Sequence, residues 1–284
     1  MALKEKSLMS GESLLSTWQR TVIPRLEHGA VPAACVPDVT LLAYFFWDDD
    51  RINTLFYTIQ SAFLCARHFL GMLPATLVVN RTTPAMIWFC DEHHILLQID
   101  ATLTGGVPRM NCDCIQNLHR RFDTDYVLII QSDGFPLRDG LEAFVGKYDY
   151  VGAPFGGFSW YTDIVFPPSR YGVVGNGGFT LRSRKLCEMA STFYRKYFSR
   201  LPYTWLTVDD VFYCKTLPRF SKACRETVVY APPEVAGQFS FETNRHYYSP
   251  TTCPLGFHSA SGFERVMADF GTHINASLGI TRKA

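Results

Sequence analysis

Tyr126-Val127-Leu128-Ile129-Ile130-Gln131-Ser132-Asp133-Gly134 is the stretch on which the fold turns. Five apolar or aromatic residues run into an abrupt polar stop. So short and continuous a run reads as a strand buried on both faces. Such strands belong to α/β sheets of parallel type, whose ligands bind outside the carboxyl ends of the strands. Asp133 then stands where chemistry is done, and Gly134 lets the backbone turn at once. A carboxylate at a strand end suits a metal ion held against phosphates.

Upstream, Val39 to Phe46 reads as the first core strand, followed by Asp48, Asp49 and Asp50 and a helical pattern from Ile52 to Leu70. Acids at a helix start cap free N–H groups and suit the dipole, which is the role expected of the triplet. Ala75 to Asn80 and His94 to Ile99 read as two further strands, the latter ending near a Thr104-Gly105-Gly106 turn. Cys112 to Phe122 is expected to be a helix leading into the quoted strand. This β-α-β alternation predicts an α/β fold, with a mixed, mostly parallel central sheet flanked by helices. Downstream, Tyr148 to Pro154 reads as a short strand entering a loop, and 156–169 as a Gly/Pro/aromatic loop over the site. Its Trp160, Tyr161 and Phe166 have the chemistry to stack on sugar faces or to pack the loop. Helices are expected from about Ser183 to Phe198 and from about Thr207. Leu14, Leu15, Trp18 and Val22 recur at helical spacing, so residues 1–37 are expected to be a peripheral helical segment packed on a single domain, 38–284.

The 284 residues are enough for a large core, and 47% hydrophobic with 19% charged residues is an ordinary globular balance. A formal net charge of +1 gives no bulk attraction to nucleic acid. No apolar h-region follows Met1 to Lys6 and no stretch approaches the roughly 20 apolar residues of a membrane span. A cytoplasmic chain, peripheral to a membrane at most, is therefore expected. The nine cysteines include no CxxC pair, which favours free thiols.

Three more segments carry chemistry. Val174 to Arg184 contains Asn176-Gly177-Gly178, where a substrate can approach the backbone closely; a tight strand-to-helix turn explains the same glycines. GxGxxG and GxxxxGK[ST] are both absent. Thr207-Val208-Asp209-Asp210 is either a capping box or a carboxylate pair in which one acid raises the other's pKa for general-base work. Cys253 to His258 ends in a histidine that is either structural or a ligand.

Taken in order, these segments resemble the DUF5672 group of glycosyltransferase-like proteins, related to the GT-A glycosyltransferases. The matching motifs are Gln131-Ser132-Asp133, Tyr148 to Pro154, Asn176 to Arg182, Asp209-Asp210 and Gly256-Phe257-His258, and they span roughly residues 39–260. The resemblance implies a GT-A-like single domain and a metal-dependent glycosyltransferase of hexosyltransferase type, inverting. It would move a sugar from a nucleotide-sugar donor, a UDP-sugar above all, to a hydroxyl on a glycan, lipid-linked or protein acceptor in surface polysaccharide or glycoconjugate synthesis.

The same resemblance implies roles. Asp133 matches the last acid of the strand-end D-x-D motif and Gln131 stands where its first acid falls; His258 matches a further metal ligand. The cofactor implied is a divalent cation, Mn²⁺ or Mg²⁺, with imidazole favouring Mn²⁺. One Asp supplies one charge, so the diphosphate must complete the cation's sphere. Gln131, Ser132, Asp133, Asn176, Gly177, Gly178 and Arg182 would bind the donor, and Asp210, supported by Asp209, would be the base. Two other classes compete: a catalytically silent GT-A-like domain that binds a glycan or a partner, and a sugar nucleotidylyltransferase. The second lacks its Gly-rich loop here, where Tyr44-Phe45-Phe46-Trp47-Asp48 stands instead.

Overall fold

Every residue of strands β1 (Val39–Tyr44) and β2 (Ala75–Val79) is buried. In β4 (Tyr126–Ile129) only Tyr126 is partly exposed. Such burial requires cover on both faces, and alternate side chains show where each face packs. Leu41, Ala43, Leu128 and Ile130 point into one apolar core, and Leu42, Tyr44, Val127 and Ile129 into another. Helices Leu14–Leu26, Phe56–Leu70 and Ala260–Ser277 build the first core. Helices Val107–Gln116 and Arg184–Tyr197 build the second. The structure, a computed structural model, describes residues 13–27, 29, 31, 32, 36, 38–104, 106–155 and 174–280. The aromatic loop expected at 156–169, with Trp160, Tyr161 and Phe166, lies outside the described residues.

The main sheet has six strands in the order β3-β2-β1-β4-β6-β5, with β3 Leu96–Ile99, β5 Tyr150–Val151 and β6 Thr180–Ser183. β1 pairs in parallel with β2 and β4, and β2 with β3. β6 is antiparallel to both β4 and β5. The fold is thus the mixed, mostly parallel α/β sheet flanked by helices. From β1 the chain winds outward to β2 and β3, then returns to place β4 on the other side of β1. A crevice opens at such a reversal, outside the carboxyl ends of β1 and β4. A second, two-stranded sheet pairs β7 (Ser240–Phe241) with β8 (Gly256–Phe257) in parallel. The chain leaving Gly134 joins it, Leu137 N–H donating to the Leu255 carbonyl at 2.8 Å.

Local boundaries differ from expectation where caps decide them. The helix expected from Cys112 to Phe122 spans Val107–Gln116, begun by Pro108 in its first turn and followed by a 3₁₀ turn at Leu118–Arg120. The Asp triplet precedes a short Arg51–Thr54 helix. There Asp49 accepts the Arg51 N–H at 3.0 Å, while Asp48 accepts from the Asn80 amide. The eight described cysteines are all free.

The Leu14–Leu26 helix sits in the core. Trp18 and Val22 are fully buried. The Trp18 ring stacks on Phe135 at 6.0 Å and meets Phe263 at 5.2 Å, and its indole N–H donates to Asn275 Oδ1 at 3.0 Å. Trp18→Ala is expected to lower stability by about 3–5 kcal/mol, read as a shift of the urea unfolding midpoint; a loss near zero contradicts core placement of this helix.

Candidate active site

Beyond β4, Gln131, Ser132, Asp133 and Gly134 close a four-residue turn. Gln131 N–H donates to the Gly134 carbonyl at 2.7 Å, and Gly134 N–H returns to the Gln131 carbonyl at 3.1 Å. Ser259 N–H donates to the Asp133 carbonyl at 2.8 Å, which ties the turn to the start of the last helix. The requirement for glycine at 134 is one of space. A Cβ there would lie 2.9 Å from the Gly178 carbonyl oxygen and 3.1 Å from the His258 ring.

The parallel register of β7 and β8 pairs Phe241 with Phe257, so the next residues, Glu242 and His258, emerge side by side. His258 Nδ1 lies 3.2 Å from Glu242 Oε1, and His258 Nε2 lies 3.8 Å from Asp133 Oδ1. A carboxylate only accepts, so the Nδ1 proton faces Glu242 and Nε2 is the ring nitrogen turned toward Asp133. Burial disfavours the imidazolium. Glu242, Asp133 and Asp210 outweigh it and raise the His258 pKa above its ordinary value. Glu242 carries no sequence signal of its own, since only the register of two two-residue strands brings it to His258.

Asn176-Gly177-Gly178 forms the middle of the site. Asn176 takes a left-handed φ of 75°. Its side-chain Oδ1 accepts the Gly178 N–H at 2.9 Å, and the Tyr150 hydroxyl donates to its carbonyl at 3.1 Å. A side chain on residue 177 would begin 2.8 and 2.9 Å from the Asp209 carboxylate oxygens. One on residue 178 would begin 2.0 Å from the His258 ring. This turn is therefore packed against Asp209 at residue 177 and against the histidine at residue 178.

The capping box considered for Thr207 and Asp210 does not form. Val208 is the N-cap of the Asp209–Val211 helix, and the Thr207 hydroxyl donates to the Thr204 carbonyl. The two acids diverge. Asp209 is buried and pairs with Arg182 Nη2 at 2.7 Å. Arg182 is also buried, its guanidinium 4.4 Å from the Tyr213 ring centre and 5.4 Å from that of Tyr150. Arg182 therefore does not line the donor crevice as expected; it holds Asp209. Asp210 accepts the Val211 N–H at 2.6 Å. Burial, the neighbouring Asp209 and, more weakly, Glu242 push its pKa up to about 7, against the pull of the Val211 N–H and Arg182. A π-helical turn, Phe212–Thr216, follows directly, a distortion found often beside functional sites.

The segment from Asn111 to His258, just over half of the chain, matches one protein-family model. The chain belongs to DUF5672, a family described as being of unknown function. No curated protein matches the sequence. Among solved structures the chain is similar to an active-site mutant of LgtC, with 13% identity, 82% of this chain and 95% of that chain covered, and a TM-score of 0.49. It is also similar to the mannosyltransferase PcManGT from Pyrobaculum calidifontis in complex with GDP-Man and Mn²⁺, with 12% identity and a TM-score of 0.43. That match covers 82% of this chain and 64% of the other.

Among the described residues no three His, Cys, Asp or Glu side chains come together as a complete metal site. Asp133 and His258 do present an oxygen and a nitrogen to the same space, with Glu242 orienting the imidazole from behind. That donor set fits a hard-to-borderline divalent cation whose remaining ligands come from a substrate diphosphate and water.

The two acids predict opposite responses. Arg182→Met strands the buried Asp209 charge and is expected to cost about 3–5 kcal/mol. Asp210 has a folded pKa of about 7, above its unfolded value of roughly 3.9. Its contribution to stability is complete below about pH 4 and lost as pH rises through about 7. Asp210→Asn is therefore expected to raise the melting temperature by a few degrees at pH 8 and little at pH 4, measured by calorimetry at both pH values.

Proposed function

We propose that this protein is a metal-dependent glycosyltransferase of hexosyltransferase type. It moves a sugar from a nucleotide-sugar donor, a UDP-sugar first among candidates, to a hydroxyl acceptor, with inversion at the anomeric carbon. The observation that carries the reading is one arrangement at the carboxyl end of β4. Asp133 and His258 face each other at 3.8 Å with Gly178 packed on the His258 ring, and Asp210, with a pKa of about 7, follows the Asp209 that packs on Gly177 and is near enough for its charge to act on His258.

Chemically the arrangement separates two tasks. Asp210 is basic enough near neutral pH to take the proton from an acceptor hydroxyl as its oxygen bonds to the anomeric carbon. Asp209, paired with Arg182, raises that base. The bond from the anomeric carbon to the diphosphate oxygen breaks in the same displacement. A bound Mn²⁺ or Mg²⁺ supplies positive charge for the departing diphosphate. Asp133 and Nε2 of His258 are the residues that would hold it, with Glu242 fixing the imidazole. Gln131, Ser132 and Asn176 to Gly178 line the donor side.

A glycan, a lipid-linked carrier or a protein is the acceptor class proposed, in surface polysaccharide or glycoconjugate synthesis. No helix of the described residues is long and apolar enough to cross a membrane. Work at the cytoplasmic surface of a membrane is part of the proposal.

Release of nucleoside diphosphate from a panel of nucleotide sugars, with Mn²⁺ or Mg²⁺, tests it. Wild type is expected to turn over at least one donor, with kcat/KM rising through about pH 7 as Asp210 loses its proton. Asp133→Ala should abolish metal-dependent nucleotide binding. Asp210→Asn should lower kcat by about 10²–10⁴-fold while binding metal and nucleotide as wild type does. Neither turnover nor metal-dependent nucleotide binding with any donor would sink the enzyme reading, leaving a silent domain that binds a glycan or a partner.

A further inference from the structure

We infer that Gln19, on the N-terminal Leu14–Leu26 helix, is a positioning residue for Asp133. Its importance for metal and nucleotide binding rests on the sugar-transfer reading; its grip on the turn does not. Gln19 is 1% exposed. Its side-chain amide donates to the Ser132 carbonyl at 2.5 Å and to the Thr58 carbonyl at 3.3 Å. An amide nitrogen has two hydrogens, and here each faces a backbone oxygen. The two carbonyls belong to different elements, the turn after β4 and the first turn of the Phe56–Leu70 helix.

Consecutive carbonyls of the turn are thereby held from two sides. Gln19 takes that of Ser132, and the Ser259 N–H takes that of Asp133. The Asp133 side chain itself is 44% exposed, so its aim depends on how firmly the peptide beneath it is fixed. Trp18, next to Gln19, locks the helix against Phe135, two residues beyond Asp133. A buried amide is costly unless bonded, and an apolar side chain would fill the same space. Its presence marks a polar contact that the turn requires. Gln19 also lies outside the 111–258 span of the family match, so a residue from beyond that span completes the site.

Gln19→Met keeps the volume and removes both donors. Ser13→Ala is the reference variant: it removes the hydroxyl that caps the same helix and leaves Gln19 in place. Two readouts on the full chain separate positioning from mere support. Hydrogen exchange of the Gly134 amide should speed up in Gln19→Met and stay at the wild-type rate in Ser13→Ala. Mn²⁺ affinity in the presence of UDP should fall about tenfold in Gln19→Met and be unchanged in Ser13→Ala. Should Gln19→Met not fold, Gln19→Asn, with an amide one methylene too short, should show the same two effects. Unchanged exchange, unchanged affinity, or Ser13→Ala reproducing both effects overturns the inference. A wild-type protein that binds no Mn²⁺ with nucleotide overturns the sugar-transfer reading instead, and exchange at Gly134 still decides whether Gln19 holds the turn.

Discussion

The His258 ring occupies the space that a side chain on residue 178 would need, and the Gly178 carbonyl occupies the space that one on residue 134 would need. Three separate pieces of chain meet at these contacts: the turn after β4, the glycine turn before β6, and the end of β8. Neither Gly134 nor Gly178 can take a Cβ there without something shifting. The approach of Asp133 to His258 follows from backbone packing. Attraction between two partly exposed groups 3.8 Å apart would be too weak to impose it.

Charge is then distributed around that contact unequally. Two adjacent aspartates begin one helix, yet Asp209 is committed to a buried arginine while Asp210 has a backbone N–H and an unfavourable field. The Arg182 guanidinium lies against the Tyr213 and Tyr150 rings, which belong to the second core. It anchors the acidic helix to β6 and so to β4, its neighbour in the sheet. Glu242 performs a parallel service for His258 from the small sheet.

The strands were legible because burial on both faces forces continuous apolar runs; β1, β2 and β4 stand where those runs stand. The place of Asp133 just beyond β4 was legible because a polar stop marks the carboxyl end of such a strand. Arg182 was misplaced because a guanidinium beside a glycine turn looks the same in sequence whether it faces a phosphate or a buried carboxylate; only the fold of the 209–220 segment decides. Glu242 and Gln19 were not legible at all. One depends on the register of a two-residue strand pair, the other on a helix meeting a turn far away in the chain, and neither contact leaves a periodicity. The Thr207 capping box failed because the helix begins after Val208, with Thr207 turned back onto Thr204.

Asp133 and His258 are proposed to receive together a cation whose coordination sphere a diphosphate completes. Pulsed electron paramagnetic resonance of Mn²⁺ bound with a nucleoside diphosphate reads it directly, since a coordinated imidazole nitrogen modulates the echo. Modulation from one histidine nitrogen is expected in the wild-type protein and is lost in His258→Ala. Bound Mn²⁺ with no nitrogen coupling, or coupling that survives His258→Ala, would contradict the proposal.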